Sequence, residues 1–395
     1  MSTTTEARTP DRPEGDDSFV MPENHLDVIV TPGSIDTSRK ASLKTTLIAV
    51  ISMPLFFLIT FSLCFVSATH SPVPYNMAIT VSGPSDVTAQ INDSVSERAE
   101  AAFDITQTLD AATARTAVEQ REAVGAVIVD GADTTTIIAS GGGRLASSVV
   151  QGVGAEIADE LGGSATVEDV SPLPADDSGG TVPFFFLVIC TVGGFLSITG
   201  ITQAFPKVRI RNLILTSLGA GIVVPVLGFS MISLFVGYDV TFGTVMGAIG
   251  IGMIYTFTIG ILSTLFTTLL GQAAVFAQIL FLIALNFPAA GGSAPESMLP
   301  PVWQIVHNSW VGPGAFESIR SILFFDGNGL GRWLIQLVIW TGASLLVLAL
   351  AARVKNRRST TKGQGKTSEE NPSNGSEEEQ PKTRAAATPA VAGSV

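Results

Sequence analysis

His307 is one of three histidines in the chain, and it lies between Trp303 and Trp310. A histidine can bind a metal or respond to pH, because its ordinary pKa is close to neutrality. No second metal-binding side chain is near it in the sequence, and tryptophans commonly anchor a segment at a membrane surface. Interfacial anchoring is therefore the simpler interpretation, and no metal site is predicted.

Residues 363–367, Gly-Gln-Gly-Lys-Thr, resemble the end of a phosphate-binding loop. The complete motif needs glycine at the position of Thr360, a strand before the loop and a helix after it, and the sequence predicts none of these. The folded segments contain no recognisable nucleophile–base motif either. The chain is therefore predicted to have no catalytic residue and no cofactor, and we expect it not to be an enzyme.

Long uncharged segments dominate the chain, which is 46% hydrophobic and 14% charged. A helix needs about 20 apolar residues to cross the hydrocarbon core of a bilayer. Residues 240–295 contain no charged residue over 56 positions, enough for two helices with a turn at Gly271-Gln272. Six transmembrane helices are predicted in all: Thr45–Ala68, Pro183–Ile201, Leu213–Tyr238, 242–269, 273–288 and Trp333–Ala352.

Basic residues indicate the orientation of these helices, since they collect on the cytoplasmic side of a membrane. They flank the predicted spans in three clusters, before the first, between the second and third, and after the sixth: Arg39, Lys40 and Lys44; Lys207, Arg209 and Arg211; Arg353, Lys355, Arg357 and Arg358. With six spans, all three clusters fall on one side. The sequence predicts a multi-pass protein of the cell membrane, in contact with the lipid bilayer and with both termini in the cytoplasm.

Residues 75–172 alternate between helical and strand-like patterns. Apolar residues recur at helical spacing from Val87 to Val95, and Val124–Val129 is a continuous apolar strand. Ser85-Asp86 can cap the first helix, and Asp110 opens a second one. The predicted order is β-α-β-α-β-β-α-β, which is enough for a small α/β domain with its own core.

The segment between the first two spans is strongly acidic. Residues 71–181 hold 17 acidic side chains and 4 arginines, a net charge of 4 − 17 = −13. This charge keeps an exposed domain soluble, and it could also repel anions or attract a basic partner. The whole chain has a net charge of −12 and lacks the basic face that nucleic-acid binding requires, so no nucleic-acid partner is predicted.

The predicted architecture is an all-α membrane protein with six transmembrane helices and one inserted extracytoplasmic α/β domain. Its termini lack apolar periodicity and are predicted to be disordered. The parts are a cytoplasmic N-terminus, a first transmembrane helix, the extracytoplasmic domain, a five-helix transmembrane region with an outer re-entrant or interfacial segment, and a cytoplasmic tail: 1–44, 45–68, 71–181, 182–355 with the outer segment at 289–331, and 356–395.

This layout resembles the type-2 ABC exporter permeases, in the branch that includes the phage-infection protein family of bacterial membrane proteins. A lone span precedes a large external domain, and five closely spaced spans follow it. Residues 111–114 and 119–129 look like the family's segment in which a small-residue helix runs through a glycine into an apolar strand, and 137–140 would form the next strand. Residues 299–301 and 312–325 are similar to the family's outer-leaflet proline–glycine turn and short helix.

The resemblance implies a membrane permease subunit of an ABC-type exporter, which dimerises and is powered by a separate cytoplasmic ATPase. The loop with Lys207, Arg209 and Arg211 lies where that ATPase would make contact, although the charge rule alone also explains a basic loop here. The six predicted spans contain no ionisable side chain, whereas ion-coupled transporters place such groups at mid-membrane. The alternative is a non-transporting membrane-anchored receptor, sensor or scaffold that displays the external domain.

Two sets of residues are predicted to shape the membrane region. Gly243 and Gly247 have the spacing that lets helix backbones approach closely, within the chain or across a homodimer. Residues 312–314, Gly-Pro-Gly, are predicted to form an outer turn that sets a short helix, 315–325, flat against the outer leaflet. The structural residues of this outer segment are Pro313, Gly314, an apolar stripe of Phe316, Ile319 and Leu323, and Arg320, which is predicted to pair with Glu317.

Overall fold

The structure is a computed structural model that describes residues 29–30, 43–99, 101–205, 207–292 and 294–369. It is mostly helical, at 70%. In the described part of the chain, five helical segments are long and apolar enough to cross a membrane: Val50–Thr69, Val182–Ala204, Ile210–Ile232, Phe242–Ala290 and Leu330–Lys355. The predicted combination of membrane-compatible helices with a small α/β sheet is confirmed. Most of both predicted disordered termini lies outside the described residues.

The described residues form seven strands and twelve α-helices. The strands are β1 (Ile29–Val30), β2 (Met77–Ser82), β3 (Phe103–Thr108), β4 (Gly125–Asp130), β5 (Asp133–Ile138), β6 (Ala165–Asp169) and β7 (Val208–Arg209). The helices are α1 (Leu43–Thr69), α2 (Ser85–Arg98), α3 (Ala111–Glu119), α4 (Arg144–Leu161), α5 (Val182–Ala204), α6 (Ile210–Ile232), α7 (Phe242–Leu270), α8 (Ala274–Gln278), α9 (Asn286–Ala290), α10 (Pro301–His307), α11 (Val311–Phe324) and α12 (Leu330–Glu369).

Strands β2 to β6, with α2 to α4, make up the α/β domain. Their sheet has the order β3-β2-β4-β5-β6, in which β5 runs antiparallel to β4 and the other neighbours are parallel. Alternate residues of β4 face opposite sides, as a strand requires. Val127 and Val129 pack under α2 and α4, while Ala126 packs with Ala114 and Val118 of α3. The predicted order of helices and strands is confirmed.

The two predicted helix caps in this domain have different outcomes. The carboxylate of Asp110 accepts hydrogen bonds from the backbone N–H groups of Ala112 and Thr113, both at 3.1 Å. This is the capping geometry expected for an aspartate at a helix N-terminus. The predicted cap at Ser85-Asp86 is wrong, because α2 already begins at Ser85 and Pro84 precedes it without a side-chain cap.

The 49 residues of Phe242–Ala290 fold back on themselves at Gly271, where the turn was predicted. Gly271 has φ +58, a left-handed conformation that glycine adopts without steric cost. Ala274–Ala290, which we call the return arm, contains α8, a π-helical segment and α9. Two hydrogen bonds join it to α7: Gln278 Nε2 to Ser263 Oγ and Asn286 Nδ2 to Tyr255 Oη, both 2.7 Å. In each bonded pair, the two residues lie at nearly equal distances in sequence before and after the turn. Helix α7 and the return arm are therefore antiparallel.

The helices run between two ends of the molecule. At the domain end, Ala68 of α1 and Ala289 of the return arm share a hydrophobic cluster with the sheet residues Met77 and Ile79. At the other end, which we call the loop end, the connection between α5 and α6 packs against the far parts of α5, α7 and α12 in a cluster formed by Ile198, Val208, Ile210, Leu213, Ile261, Leu265, Leu348 and Ala352. Strand β1 joins this end by pairing antiparallel with β7.

Two helix ends differ from the predicted spans. Helix α6 ends at Ile232 rather than at Tyr238, and α12 continues past Ala352 to Glu369. The part of the predicted disordered tail at 356–369 is therefore helical, and it includes the glycine-lysine segment 363–367. A helical backbone there lacks the loop that would wrap a phosphate.

Candidate functional site at the joint between domain and helices

Helix α11 lies inside the protein, which corrects the prediction of a surface helix. Twelve of its 14 residues are buried, because it packs against α5, α7 and α9. It begins at Val311, so Gly312, Pro313 and Gly314 form its first turn and not a turn ahead of it. Proline is tolerated there because the first N–H groups of a helix have no partner within it.

Glycine fits the two positions of this turn because neighbouring atoms lie very close to the backbone. A Cβ added at Gly312 would lie 2.4 Å from Oδ1 of Asn286, and one at Gly314 would lie 3.1 Å from the backbone nitrogen of Leu337. The predicted apolar stripe is part of the helical core, with Phe316 0% and Ile319 1% exposed. The opposite face is buried as well: Ser318 is 0% exposed and donates to the carbonyl of Gly314 at 2.6 Å.

An ion cluster joins α11 to the α/β domain. The predicted pair is present, with Arg320 Nη1 donating to Glu317 Oε1 at 2.7 Å. Arg121, which follows α3, donates to the other carboxylate oxygen of Glu317 and to Ser321 Oγ, the latter at 2.6 Å. We call Arg121, Glu317 and Arg320 the joint cluster. Glu317 is 3% and Arg320 5% exposed, so these charges are held by each other and not by solvent.

The joint cluster carries an excess of positive charge, since two guanidinium groups share one carboxylate. Burial raises the pKa of Glu317, but the charges of Arg320, Arg121 and His307 outweigh it and hold that pKa below its ordinary value. Burial lowers the pKa of Arg320, although Glu317 opposes the effect. Glu317 is thus ionised near neutral pH, and one buried positive charge is left without a matching carboxylate in the cluster.

The backbone at Arg121 is itself unusual. Its φ of +64 lies in the left-handed region, which a residue with a long side chain rarely adopts. Its guanidinium carbon also lies 4.9 Å from the centre of the Phe325 ring. Such a conformation persists where surrounding contacts determine it. Here Glu317 and Phe325 supply those contacts.

Neighbouring contacts close the joint on both sides of the cluster. Ser171 Oγ donates to the carbonyl of Phe324 at 2.5 Å, and Asn328 Nδ2 donates to the carbonyl of Glu119 at 3.0 Å. Gly141 admits the Phe324 side chain, because a Cβ there would lie 2.6 Å from Cβ of Phe324. The α/β domain and α11 are therefore packed directly against each other.

A cavity of about 400 Å³ lies at this joint, between the α/β domain and helices α10 to α12. We call it the joint cavity. Its lining includes the whole joint cluster, the apolar Val124 and Trp333, and two further groups that can exchange protons, His307 and Glu296. Polar and charged groups thus converge on a partly open cavity of the size typical for small ligands.

His307 has a different environment from the one predicted. It is 0% exposed, with Nδ1 2.7 Å from the carbonyl oxygen of Ala289. Because a carbonyl only accepts, Nδ1 carries the proton and Nε2 presents a lone pair. Nε2 has no hydrogen-bond partner among the described residues and lies 3.9 Å from Oε2 of Glu296. Burial lowers the pKa of His307, despite the opposing charges of Glu317 and Glu296.

The two tryptophans beside His307 both bond to protein groups through their indole N–H. Trp303 is 8% exposed and donates from Nε1 to Ser67 Oγ at 3.2 Å. Trp310 donates from Nε1 to the carbonyl of Phe281 at 3.2 Å. Both rings pack within the protein, and they tie α10 and the start of α11 to α1 and the return arm.

The three basic residues of the predicted ATPase-contact loop lie far along the fold from the joint cavity, at the loop end. Lys207, Arg209 and Arg211 are exposed, while the intervening Val208 and Ile210 are buried in the loop-end cluster. The three cations therefore lie at the surface of this end, while the apolar residues between them anchor the loop. The structure thus supplies a basic surface at this end, fixed by β7 and the start of α6.

In the described part of the chain, the predicted close packing is not found at Gly243, whereas Gly247 lies close to Ile322 of α11. A Cβ at Gly243 would meet only Thr241 Oγ1 at 3.6 Å, and one at Gly247 would meet only Ile322 at 3.3 Å. Other glycines of the bundle have that role. A Cβ at Gly252 would lie 2.8 Å from Phe186, and one at Gly260 would lie 2.7 Å from Ser217.

Sequence reasoning missed Arg121, Glu296 and Asn286 as members of a site. Arg121 is one of only 4 arginines among residues 71–181, and this scarcity was the available signal. Glu296 meets His307 through a short 3-10 turn at 296–298, a geometry that spacing does not reveal. Asn286 donates to Tyr255 Oη, which also lies 2.7 Å from Thr191 Oγ1, and this polar trio is hidden within apolar sequence.

The fold and the site together define a mostly helical, membrane-compatible protein with a small α/β domain that contacts its helices. No family model, no curated protein and no solved structure matches the chain.

Proposed function

We propose that the protein is the membrane permease subunit of an ABC-type exporter, powered by a separate ATPase that contacts the loop end. The observation that carries this proposal is the continuous packing between the loop end and the α/β domain. Helices α5, α7 and α11 share one core, and the joint cluster ties α11 to the domain. A force applied at the loop end can therefore move the domain as a rigid extension of the helices.

We further propose six membrane crossings, with the loop end in the cytoplasm. The return arm has 17 residues and is at most about 25 Å long at the α-helical rise of 1.5 Å per residue, which approaches the hydrocarbon thickness. Its antiparallel course beside α7 supports counting Phe242–Ala290 as two crossings. The exposed Lys207, Arg209 and Arg211 support a cytoplasmic loop end, and the acidic domain would then lie on the opposite side.

The chemistry of the spans agrees with an external energy source. Among the described spans, Val50–Thr69, Val182–Ala204 and Phe242–Ala290 contain no Asp, Glu, Lys, Arg or His, and the spans of α6 and α12 have charges only near their ends. Proton- and ion-coupled transporters use such groups as relays at mid-membrane. A transporter that is driven by a partner at the loop end needs no ionisable groups at mid-membrane.

The crossing count is tested by cysteine labelling of whole cells with a membrane-impermeant thiol reagent. In a background with Cys64 and Cys190 replaced by alanine, Leu270→Cys lies at the loop end and Val302→Cys at the domain end, and both parent side chains are exposed. Six crossings predict labelling of Val302→Cys in intact cells and of Leu270→Cys only after lysis. Identical behaviour of the two positions would refute the sixth crossing.

The function is tested by extracting the full chain gently and measuring the activity of any ATPase that copurifies. A permease should change its partner's ATPase rate relative to the isolated ATPase. Lys207→Ala, Arg209→Ala and Arg211→Ala should each weaken that coupling by about twofold to fivefold, as expected for loss of one exposed charge pair. Asn212→Ala is the matched uncharged control, exposed in the same loop. If no ATPase associates and cells lacking the protein export normally, the proposal fails.

A second candidate is a sensor that transmits ligand occupancy from its α/β domain to the loop end. The joint cavity favours this candidate over passive display, because a scaffold needs no polar cavity between its domain and its helices. An ATPase-independent partner that binds the loop end would favour the sensor.

A further inference from the structure

We propose that the joint cavity binds a small zwitterion such as an amino acid or short peptide, with its carboxylate on the arginines of the joint cluster and its ammonium between His307 and Glu296. This binding site goes beyond the proposed permease function and does not depend on it. Two features of the cavity lining carry it, one for each charged end of the ligand.

The first feature is a set of buried donors with spare capacity. In the joint cluster, Glu317 is the carboxylate shared by Arg121 and Arg320. Arg320 donates through Nη1 alone, so in the described part of the chain its Nε and Nη2 bond no acceptor. A guanidinium edge matches the two oxygens of a carboxylate. A ligand carboxylate would also balance the excess positive charge.

The second feature is a pair of acceptors that face each other. Nε2 of His307 and Oε2 of Glu296 are 3.9 Å apart, too far for a hydrogen bond between them. The other oxygen of Glu296 is occupied by Asn308 Nδ2 at 2.5 Å. An ammonium group has several hydrogens and can donate to both acceptors at once. It would also provide a partner for the buried Nε2, which lacks one among the described residues.

The size and composition of the cavity suit such a ligand. Its volume of about 400 Å³ lies within the range of small-molecule sites, and Trp333 and Val124 supply apolar wall between the charged ends. A purely anionic ligand would leave the His307–Glu296 pair unused. A purely cationic ligand would meet the uncompensated arginine charge.

The experiment measures calorimetric binding to the full chain in phosphatidylcholine nanodiscs near pH 7.5. The probes are alanine, the dipeptide alanyl-alanine, its N-acetylated form, which keeps only the carboxylate, and its C-terminal amide, which keeps only the ammonium. We expect saturable binding of alanine or of the dipeptide, and binding at least about tenfold weaker for each form with one end blocked.

Glu296→Gln is the test variant, because its side chain is one-third exposed and the change is isosteric. It should weaken binding of the zwitterion about tenfold and leave the N-acetylated dipeptide unchanged. Glu122→Gln is the matched control, since Glu122 also lines the cavity but is exposed and contacts neither acceptor. The proposal is overturned if neither zwitterion binds at about 10 mM, if the blocked forms bind equally well, or if both variants behave alike.

Discussion

Helices α1 and α11 handle polarity in opposite ways. Helix α1 has 27 residues, contains no charge in the span Val50–Thr69, and leaves large side chains such as Ile48 and Leu58 more than half exposed. Helix α11 contains Glu317 and Arg320 and is buried along almost its whole length. A helix that meets lipid must be apolar, because lipid offers no partner to a charge. A helix that meets protein can carry charges where the protein supplies their partners.

The largest expected effect breaks the charge balance of α11. Glu317→Leu would leave Arg121 and Arg320 buried without their shared carboxylate, which costs about 3–5 kcal/mol of folding free energy. We expect little monodisperse protein after detergent extraction and a strongly lowered melting temperature. Leu58→Ala on α1 is the comparison, with an expected change within about 0.5 kcal/mol, since its side chain is 62% exposed. Similar losses in the two variants would show that α11 is no more sensitive than a lipid-facing helix.

A steric test uses two glycines at equivalent helix positions. Gly312 and Gly243 are each the second residue of their helix, α11 and α7. Gly312→Ala would press a methyl group against Asn286 and should cost about 1–3 kcal/mol. Gly243→Ala should be neutral or slightly stabilising, because the space beside it is open. Thermal melts of both variants in detergent would check this, and a destabilised Gly243→Ala would instead indicate that α7 packs against a second copy.

A pH test uses the buried His307. Burial lowers the pKa of His307, so below about 6.5 the unfolded chain takes up a proton that the folded state resists. The free energy of unfolding should then fall by up to about 1.4 kcal/mol per pH unit. The melting temperature is to be measured between pH 8 and pH 5.5. This range lies above 4.5, the ordinary pKa of Glu317, so the Glu317 carboxylate stays ionised throughout. His307→Gln should flatten the decline, and an unchanged slope in this variant would assign the decline to other groups.

The smallest expected effect lies in the α/β domain, at its two helix starts. Asp110→Ala removes the cap of α3 and should cost about 1 kcal/mol. Ser85→Ala should have no measurable effect, because no side-chain cap is present at the start of α2. Amide hydrogen exchange in α3 and α2 would report both changes locally. Equal protection of α3 with and without Asp110 would contradict the capping assignment.

The sequence was sufficient where local pattern alone determines structure. Asp110 caps α3, and the alternating apolar residues of β4 reach the two faces of the sheet, because these features depend on spacing within a few residues. Hydropathy likewise identifies α1, because this helix is apolar on all sides along its span. The bounds of α11 and its burial could not be read in this way. They depend on Asn286, on α12 and on Arg121, which are distant in sequence, and spacing does not encode such contacts.

The candidate site shows the same limit. The Arg320–Glu317 pair follows from helical spacing and was predicted, whereas the participation of Arg121 requires the domain and α11 to meet. His307 is visible in the sequence, but its burial and its acceptor partner Glu296 are not. The sequence thus shows which side chains could take part in a site, but it does not show the burial and the partners that the fold gives them.

The bond between Arg121 and Glu317 also sets an order of assembly during synthesis, because the two residues are 196 positions apart. A ribosome adding about 5–20 residues per second needs roughly 10–40 s to cover that distance. Throughout this interval, the newly made domain must hold Arg121 in water, with no carboxylate from α11 to receive it. Docking of α11 should therefore be a late event in biogenesis, and a chain truncated before Glu317 should present an unfinished domain to the cell's quality-control machinery.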